Sequence, residues 1–292
     1  MNYDYLAKIR GMVQLYTQRK TFNVLEGGFR SLIRGRSLEF DDLKEYTFGD
    51  DVHDIDWKSS SRTGKTLIRR YLAERRHNIL FVGDTGRKMS GSTERLEEKA
   101  EVSTVTLGTI AYLADRQGAD YALAYGGEKG VRFSMFRSGA EHLQGLLTQY
   151  RKVIEEEGGL PLKQVLERAA DITPKRMIVI VLTDPEGASL IDERLIRKLT
   201  YRNDLLVISC SDAPLTGHTG SVFDLDDRRY AADFFRRDRK LRDAERKARA
   251  LLLEETQKRF IRNHVGFVTI SSEEEILDRI VELFERQKIG VR

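Results

Sequence analysis

The chain has 292 residues, of which 40% are hydrophobic and 33% are charged, and its formal net charge is +4 at neutral pH. These values are typical of a globular protein with a sizeable core, and they exclude a disordered or fibrous chain. No apolar run approaches the roughly 18 residues that span a membrane, and the first 20 residues lack the apolar region of a secretion signal. We therefore expect a cytoplasmic protein without a membrane span. Its single cysteine, Cys210, excludes an internal disulfide.

The first 76 residues are predicted to form a helix followed by a small irregular β module. Apolar side chains recur at helical spacing over residues 3–20. Between residues 37 and 71 the segments are short and are separated by turns that contain glycine. We name residues 37–71 the β module and expect it to lead into a second, larger domain over residues 77–292.

After residue 76, short apolar runs alternate with long amphipathic stretches, which is typical of buried parallel strands and their crossover helices. Strands are predicted at residues 78–82, 121–125, 131–136, 177–183, 205–210 and 267–270. Helices are predicted at residues 94–116, 139–156, 162–171, 189–200, 228–264 and 274–287. The glycine-rich link between the second and third strands predicts a hairpin. The predicted fold class is α/β: a doubly wound, mostly parallel sheet with helices on both faces.

Two of these predicted strands end in an aspartate. The run FVGD ends at Asp84, and the run IVLTD ends at Asp184. Doubly wound sheets bind their ligands outside the carboxyl ends of the strands. Asp84 and Asp184 are therefore candidate site residues.

A second candidate site is an acidic cluster in the β module. Its members are Asp50, Asp51, His53, Asp54 and Asp56. Carboxylates beside a histidine can form a metal or acid–base site, which gives a hydrolase hypothesis. A structural role is favoured, because aspartates near glycine cap backbone N–H groups in turns and Arg62, Arg69 and Arg70 are placed to pair with them. Ile55 and Trp57 alternate with the aspartates, which predicts a strand with its apolar face buried.

Motifs for known enzyme chemistry are missing from the sequence. No phosphate-binding glycine loop follows a strand. The serines at 59–61 lack the glycines of a nucleophile elbow and a paired histidine. We therefore expect a protein without enzymatic activity.

Two patterns in the chain together resemble a known family. The segment DTGRKMSG, which begins at Asp84, resembles the D-x-S-x-S-M metal loop that opens a von Willebrand factor A-type domain. The upstream run GRSLEFDDLKEYTFGDDVHDIDWKSSSRTG is similar to the signature of the bacterial domain-of-unknown-function-58 family, in which an A-type domain follows. The resemblance extends from about Leu25 to the C-terminus, and His53 stands where the family often has arginine.

The resemblance implies a metal-ion-dependent adhesion site with Asp184 as its second aspartate, but the sequence departs from that pattern. Gly86 and Lys88 stand in place of two serines, and Leu160 stands in place of a coordinating threonine. Because Mg²⁺ requires several oxygen ligands, Mg²⁺ binding is disfavoured and no cofactor is expected. We expect the ammonium group of Lys88 to lie between Asp84 and Asp184 instead of an ion.

The resemblance further implies an adaptor that binds proteins and works beside a MoxR-type AAA+ ATPase in the assembly or maturation of other proteins. The acidic cluster with Trp57 and Arg62 then forms a docking surface or the framework of one.

The alternative is a nucleic-acid-binding or regulatory protein that uses a basic helix. Residues 228–262 carry thirteen basic and six acidic side chains. An apolar stripe predicts that this helix packs on the sheet with a basic outer face. The stripe consists of Tyr230, Phe234, Leu241, Ala244, Ala248, Leu251 and Leu252. A solvated helix with interspersed ion pairs is the commoner case, so nucleic acid is the less favoured partner.

Overall fold

A computed structural model of the chain describes residues 4–17, 27, 40–48, 50–71, 78–156, 159–172, 176–217, 223–225, 228–230 and 238–289. The described strands are β1 (Phe40–Glu45), β2 (Leu67–Tyr71), β3 (Asn78–Gly83), β4 (Tyr121–Gly127), β5 (Gly130–Phe133), β6 (Met177–Thr183), β7 (Asp204–Cys210), β8 (Phe223–Asp224), β9 (Arg229–Tyr230) and β10 (Gly266–Ile270). The described helices are α1 (Tyr5–Thr17), α2 (Trp57–Thr63), α3 (Lys99–Arg116), α4 (Ala140–Glu155), α5 (Leu162–Ile172), α6 (Pro185–Ser189), α7 (Glu193–Thr200), α8 (Arg239–Arg262) and α9 (Ile276–Ile289). Among these helices, none combines the length and the apolar character needed to cross a bilayer.

The centre of the molecule is a six-stranded sheet with the order β10-β7-β6-β3-β4-β5. Its strands are parallel except for β5, which pairs with β4 in an antiparallel hairpin at the edge. Both faces of the sheet are covered, because alternate residues of each parallel strand enter two separate apolar clusters. In β3, Ile79 and Phe81 pack on the side of α1, α3, α4 and α9, whereas Leu80 and Val82 pack on the side of α5 and α7. The predicted fold class and the hairpin are confirmed.

The observed elements differ from the predicted ones mainly at their ends. The helix predicted from residue 94 begins at Lys99, since the segment before it forms a tight turn in which the Leu96 N–H donates to Thr93 O at 2.9 Å. The helix predicted over 189–200 begins at Glu193 as α7, and a separate short helix, α6, precedes it over Pro185–Ser189. Each of these two short helices has its own capping aspartate, which explains the break.

Helix α1 is part of the same packed body as the sheet. Ile9 is fully buried, and a Cβ placed on Gly108 of α3 would lie 2.3 Å from Ile9 Cδ1. The ammonium group of Lys8 forms ion pairs with Glu101 at 2.6 Å and with Glu273 at 2.7 Å. The boundary between residues 76 and 77 stays a prediction, while α1 packs with the larger domain.

In the β module, β1 and β2 form a separate antiparallel pair, and α2 lies between them in the chain. Asp56 begins α2 because its side chain accepts a hydrogen bond from the Ser59 N–H at 2.9 Å. Ile55 makes a single bridge to Ile68. Trp57, which follows the capping Asp56, is the first residue of this helix, and it is 71% exposed. The predicted strand with a buried Trp57 is wrong.

Helix α8 is shorter than the helix predicted over residues 228–264, because residues 229–230 form strand β9. Phe234, which was assigned to the apolar stripe, lies outside the described residues. The described helix begins at Arg239, where Asp238 caps it by accepting hydrogen bonds from the Lys240 and Leu241 N–H groups.

The predicted apolar stripe on this helix is wrong. Leu251 and Leu252 are exposed, and the buried side chains of α8 are Thr256 and Phe260 near its C-terminal end. Only that end packs against the sheet. The N-terminal half meets the loop after β7 through polar side chains such as Glu245, which accepts hydrogen bonds from residues 215 and 216. Hydrophobic periodicity predicted the helix but could not reveal how it packs, because its N-terminal half is held by polar contacts.

Candidate functional site

Asp84 is buried at the carboxyl end of β3 and turns toward β6. Its Oδ2 accepts a hydrogen bond from Thr183 Oγ1 at 2.6 Å, and its Oδ1 accepts one from the Gly86 N–H at 2.9 Å. Burial raises the pKa of Asp84, while these two bonds and the nearby Lys99 oppose that shift. The carboxyl group is therefore fixed by the protein and shielded from water.

Asp184 follows the neighbouring strand and caps α6. Its Oδ1 accepts a hydrogen bond from the Gly187 N–H at 2.7 Å. Its Oδ2 is buried, has no hydrogen-bond partner among the described atoms, and lies 3.9 Å from Lys99 Nζ. Burial raises the pKa of Asp184 to about 6, against the attraction of Lys99.

The cation beside these carboxylates is Lys99, the first residue of α3, which is almost fully buried. Its ammonium group donates a hydrogen bond to the main-chain oxygen of Lys88 at 3.0 Å and forms an ion pair with Asp212. Asp212 lies two residues beyond the end of β7. The loops after β3, β6 and β7 thus converge on one buried ammonium group.

Lys88 does not occupy the place predicted for it. It lies in a 3-10 turn over residues 87–90, and its ammonium group pairs with Glu186 on α6, where both side chains are partly exposed. The turn directs the carbonyl of Lys88, rather than its side chain, toward Lys99. The lysine that faces Asp184 is therefore Lys99, and the prediction for Lys88 was wrong.

The sequence analysis did not predict Lys99 or Asp212 as site residues, although the position of each in the sequence could have indicated it. Lys99 lies three and four positions before Val102 and Ser103, which are buried on the same face of α3. Asp212 follows a predicted strand after only one intervening residue.

The loop that carries Leu160 lies beside the site, as the resemblance implied. A Cβ placed on Gly159 would lie only 2.2 Å from the main-chain oxygen of Thr85, and one placed on Gly126 would lie 2.5 Å from Leu160 N. The hydroxyl group of Thr85 donates to Gly126 O at 2.7 Å. The backbones therefore pack closely here, and the Thr85 hydroxyl is already used within the protein.

In the β module, the aspartates stabilise turns. Asp50 accepts hydrogen bonds from Lys44 Nζ at 2.9 Å, from the Thr47 N–H at 2.9 Å and from Thr47 Oγ1 at 2.7 Å. These bonds, that with Lys44 first, lower its pKa to about 2. Asp51 caps a 3-10 turn over residues 52–54 by accepting from the His53 N–H at 2.9 Å. These contacts all lie within the module.

The remaining residues of the acidic cluster also fit a framework. Asp54 belongs to the 3-10 turn. The hydrogen bond from the Ser59 N–H and the pair with Arg69 Nε at 3.1 Å lower the pKa of Asp56. His53 and Arg62 are exposed. A hydrolase would require a carboxyl group with a raised pKa beside a histidine in a cleft, and the pKa shifts that are resolved in this cluster go the other way.

The amino-acid sequence matches the family described as "Protein of unknown function DUF58" over residues 42–230. The chain belongs to this family. The matched region includes most of the β module and the strands that carry Asp84, Asp184 and Asp212. This DUF58 chain is also 22% identical over 209 residues to uncharacterized proteins of Mycobacterium tuberculosis and Mycobacterium bovis, which covers 71% of this chain and 65% of theirs.

Solved structures also resemble the DUF58 chain at low sequence identity. A von Willebrand factor type A structure from Catenulispora acidiphila is 12% identical, with a TM-score of 0.36 over 75% of this chain and 44% of that one. The PilB minor pilin from Streptococcus sanguinis is 13% identical, with a TM-score of 0.40 over 77% of this chain and 65% of that one. The family assignment rests on the sequence match.

Gly187→Ala is expected to destabilise the protein by about 1–3 kcal/mol, as overpacked sites do. A Cβ at this position would lie 2.0 Å from Thr183 Oγ1 and 2.9 Å from Asp84 Oδ2. Urea unfolding measures the change. Gly145→Ala is the control, because nothing lies within 4 Å of its Cβ position in α4 and alanine is the better helix former. Equal stability of the Gly187→Ala variant and the wild type would contradict the packing described here.

Asp184→Asn is expected to remove a pH-dependent penalty. Since the folded pKa of about 6 exceeds the unfolded value of about 4, the folded state holds the extra proton between these values. The wild-type free energy of unfolding should therefore fall, relative to the variant, by up to about 3 kcal/mol as the pH rises from 4 to 7.

Urea unfolding at several pH values measures this difference. Asp192→Asn is the control, because Asp192 caps α7 in the same way but has a lowered pKa. Its stabilising contribution is lost as the pH falls, which is the opposite trend. A difference between wild type and Asp184→Asn that does not vary with pH would contradict the buried state of Asp184.

Proposed function

We propose that this DUF58 protein is a non-enzymatic, cytoplasmic adaptor that binds other proteins. The observation that carries the proposal is the buried Lys99 at the carboxyl ends of the strands, where doubly wound sheets place their ligand sites. Its ammonium group is bonded to the Lys88 carbonyl and paired with Asp212. Asp84 and Asp184 are likewise buried. Such a closed cluster favours a structural role in a binding domain over catalysis.

We infer that this cluster is a degenerate metal-ion-dependent adhesion site. A divalent cation such as Mg²⁺ requires several oxygen ligands. Gly86 and Leu160 bring no hydroxyl group to the site, and the hydroxyl of Thr85 is bonded to the main chain. Lys99 supplies the positive charge that the carboxylates require. The residues present therefore do not fit a bound divalent ion.

The exposed surface of the β module supports a protein partner. Phe48, Val52 and Trp57 all have more than half of their surface exposed, and aromatic side chains are enriched where proteins bind one another. The bonds of Asp50, Asp51 and Asp56 hold the turns that carry these side chains. The family resemblance favours a MoxR-type AAA+ ATPase as the partner, in the assembly or maturation of other proteins.

The nucleic-acid alternative has weaker support. Basic residues of α8 are partly neutralised within the helix, where Arg249 pairs with Glu245 at 2.9 Å and Lys258 pairs with Glu254 at 2.5 Å. Such intrahelical pairs are typical of a solvated helix. The protein-binding proposal is therefore preferred.

Calorimetry with Mg²⁺ and Mn²⁺ at neutral pH is expected to give no binding heat for the wild-type protein. The Lys88→Met variant is expected to behave in the same way, because Lys99 remains beside Asp184. Tight binding of either ion to the wild type that Asp84→Ala abolishes would contradict the degenerate site. Ion binding that appears only in Lys88→Met would mean that Lys88, rather than Lys99, keeps the ion out.

The wild-type protein is expected to co-elute with the MoxR-type ATPase of the same organism in size-exclusion chromatography, with or without ATP. Trp57→Ala should weaken the complex about tenfold or more, as loss of an interface tryptophan does. Tyr201→Ala is the control, because Tyr201 is an equally exposed aromatic residue after α7. Absence of a complex under both nucleotide conditions would count against this partner, and equal effects of both substitutions would count against the β module surface.

A further inference from the structure

A groove of about 500 Å³ lies between the N-terminal half of α8 and the loops that follow β6 and β7. Its volume falls within the range of roughly 300–1,000 Å³ that is typical of ligand pockets. Asp212, the ion-pair partner of Lys99, contributes to its lining. The groove therefore lies next to the buried cluster but is open to solvent.

Two arginines that line this groove form no ion pair within the described part of the chain. Arg242 and Arg246 are exposed and lie one turn apart on α8, and within the described part of the chain neither guanidinium has a hydrogen-bond or ion-pair partner. Arg249, one turn further, differs: it donates to Asp212 O at 2.6 Å and to Ala213 O at 2.7 Å. The groove thus contains two guanidinium groups that are available to a ligand, those of Arg242 and Arg246, beside the bonded guanidinium group of Arg249.

The lining of the groove also includes apolar side chains. Leu252 and Leu253 of α8 line it and are 36% and 40% exposed. Pro185 and Pro214 line it as well. Exposed leucines beside prolines and unpaired arginines form a surface that is complementary to a ligand with both aliphatic and acidic groups.

We propose that this groove binds an extended acidic peptide segment of a partner protein. The inference rests on the proposed protein-binding function and names the chemistry of its partner. Arg242 and Arg246 are about 6 Å apart along the helix axis, which matches two acidic side chains at alternate positions of an extended chain, spaced about 6.7 Å apart. Leu253 lies about 10 Å beyond Arg246, which corresponds to about three residues of an extended peptide.

The recognised segment therefore has the pattern acidic-x-acidic-x-x-aliphatic, in one chain direction or the other. A nucleic acid fits the groove less well. The residues that line the groove in the described structure include no aromatic side chain on which a base can stack.

A phage-displayed library of random dodecapeptides, selected on the full-length protein at near-physiological salt, tests the proposal. The enriched sequences are expected to carry the acidic and aliphatic pattern. A synthetic peptide of the enriched sequence is expected to bind Arg246→Glu and Leu253→Ser about tenfold more weakly than wild type by fluorescence anisotropy, a change of about 1.4 kcal/mol. Lys247→Glu and Leu251→Ser are the matched controls, because both residues are exposed on α8 outside the groove, and they should retain wild-type affinity.

Three results would overturn the groove as the site of an acidic peptide. The first is that the enriched peptides lack acidic residues, and the second is that Lys247→Glu weakens binding as much as Arg246→Glu does. The third is that a single-stranded oligonucleotide binds more tightly than the peptide and that Arg246→Glu abolishes this binding. Peptides that tolerate Arg246→Glu but are lost with Trp57→Ala would also overturn it while leaving the protein-binding function intact. Conversely, groove-dependent peptide binding without a complex with the ATPase would support the groove and reject only that partner.

Discussion

The ammonium group of Lys99 must be surrounded by acceptors, because transferring an unpaired charge from water into a protein interior costs several kcal/mol. Its partners come from three separate loops. The carbonyl of Lys88 after β3 and the carboxylate of Asp212 after β7 accept hydrogen bonds, and Asp184 after β6 lies 3.9 Å away as an ion-pair partner. The parallel pairing of β3 with β6 and of β6 with β7 brings these loops to one edge of the sheet. The charge balance at this edge therefore depends on the register of the whole central sheet.

The carboxyl ends of the strands also require side chains and loops to pack closely against the backbone. Gly83 allows the Tyr150 ring to pack against the end of β3, since a Cβ there would lie 2.4 Å from Tyr150 Cε2. The Tyr150 hydroxyl group in turn donates to Asp84 O at 3.1 Å. These contacts keep the carboxylates in fixed positions and leave little space for water, which is why burial dominates their pKa shifts.

The two surfaces on which the proposed binding depends are more exposed than the cluster around Lys99. In the β module, aspartates used as caps and turn acceptors leave Phe48, Val52 and Trp57 exposed. On α8, only the C-terminal end is buried, so that its N-terminal half forms one wall of a groove above Asp212. The groove adjoins the buried cluster through Asp212, which lines the groove and pairs with Lys99.

The sequence by itself determined the α/β fold, because apolar runs such as IVIVL at the centre of β6 occur where both faces of a strand are covered. It also predicted that Asp84 and Asp184 follow the ends of two strands, since the ends of these apolar runs mark the ends of the strands. Only the tertiary structure decided which lysine meets them, that Trp57 is exposed and that α8 is held by polar contacts. Those outcomes depend on loops brought together from distant parts of the chain, and neither periodicity nor spacing along the sequence records which side chain is nearest once the sheet has formed.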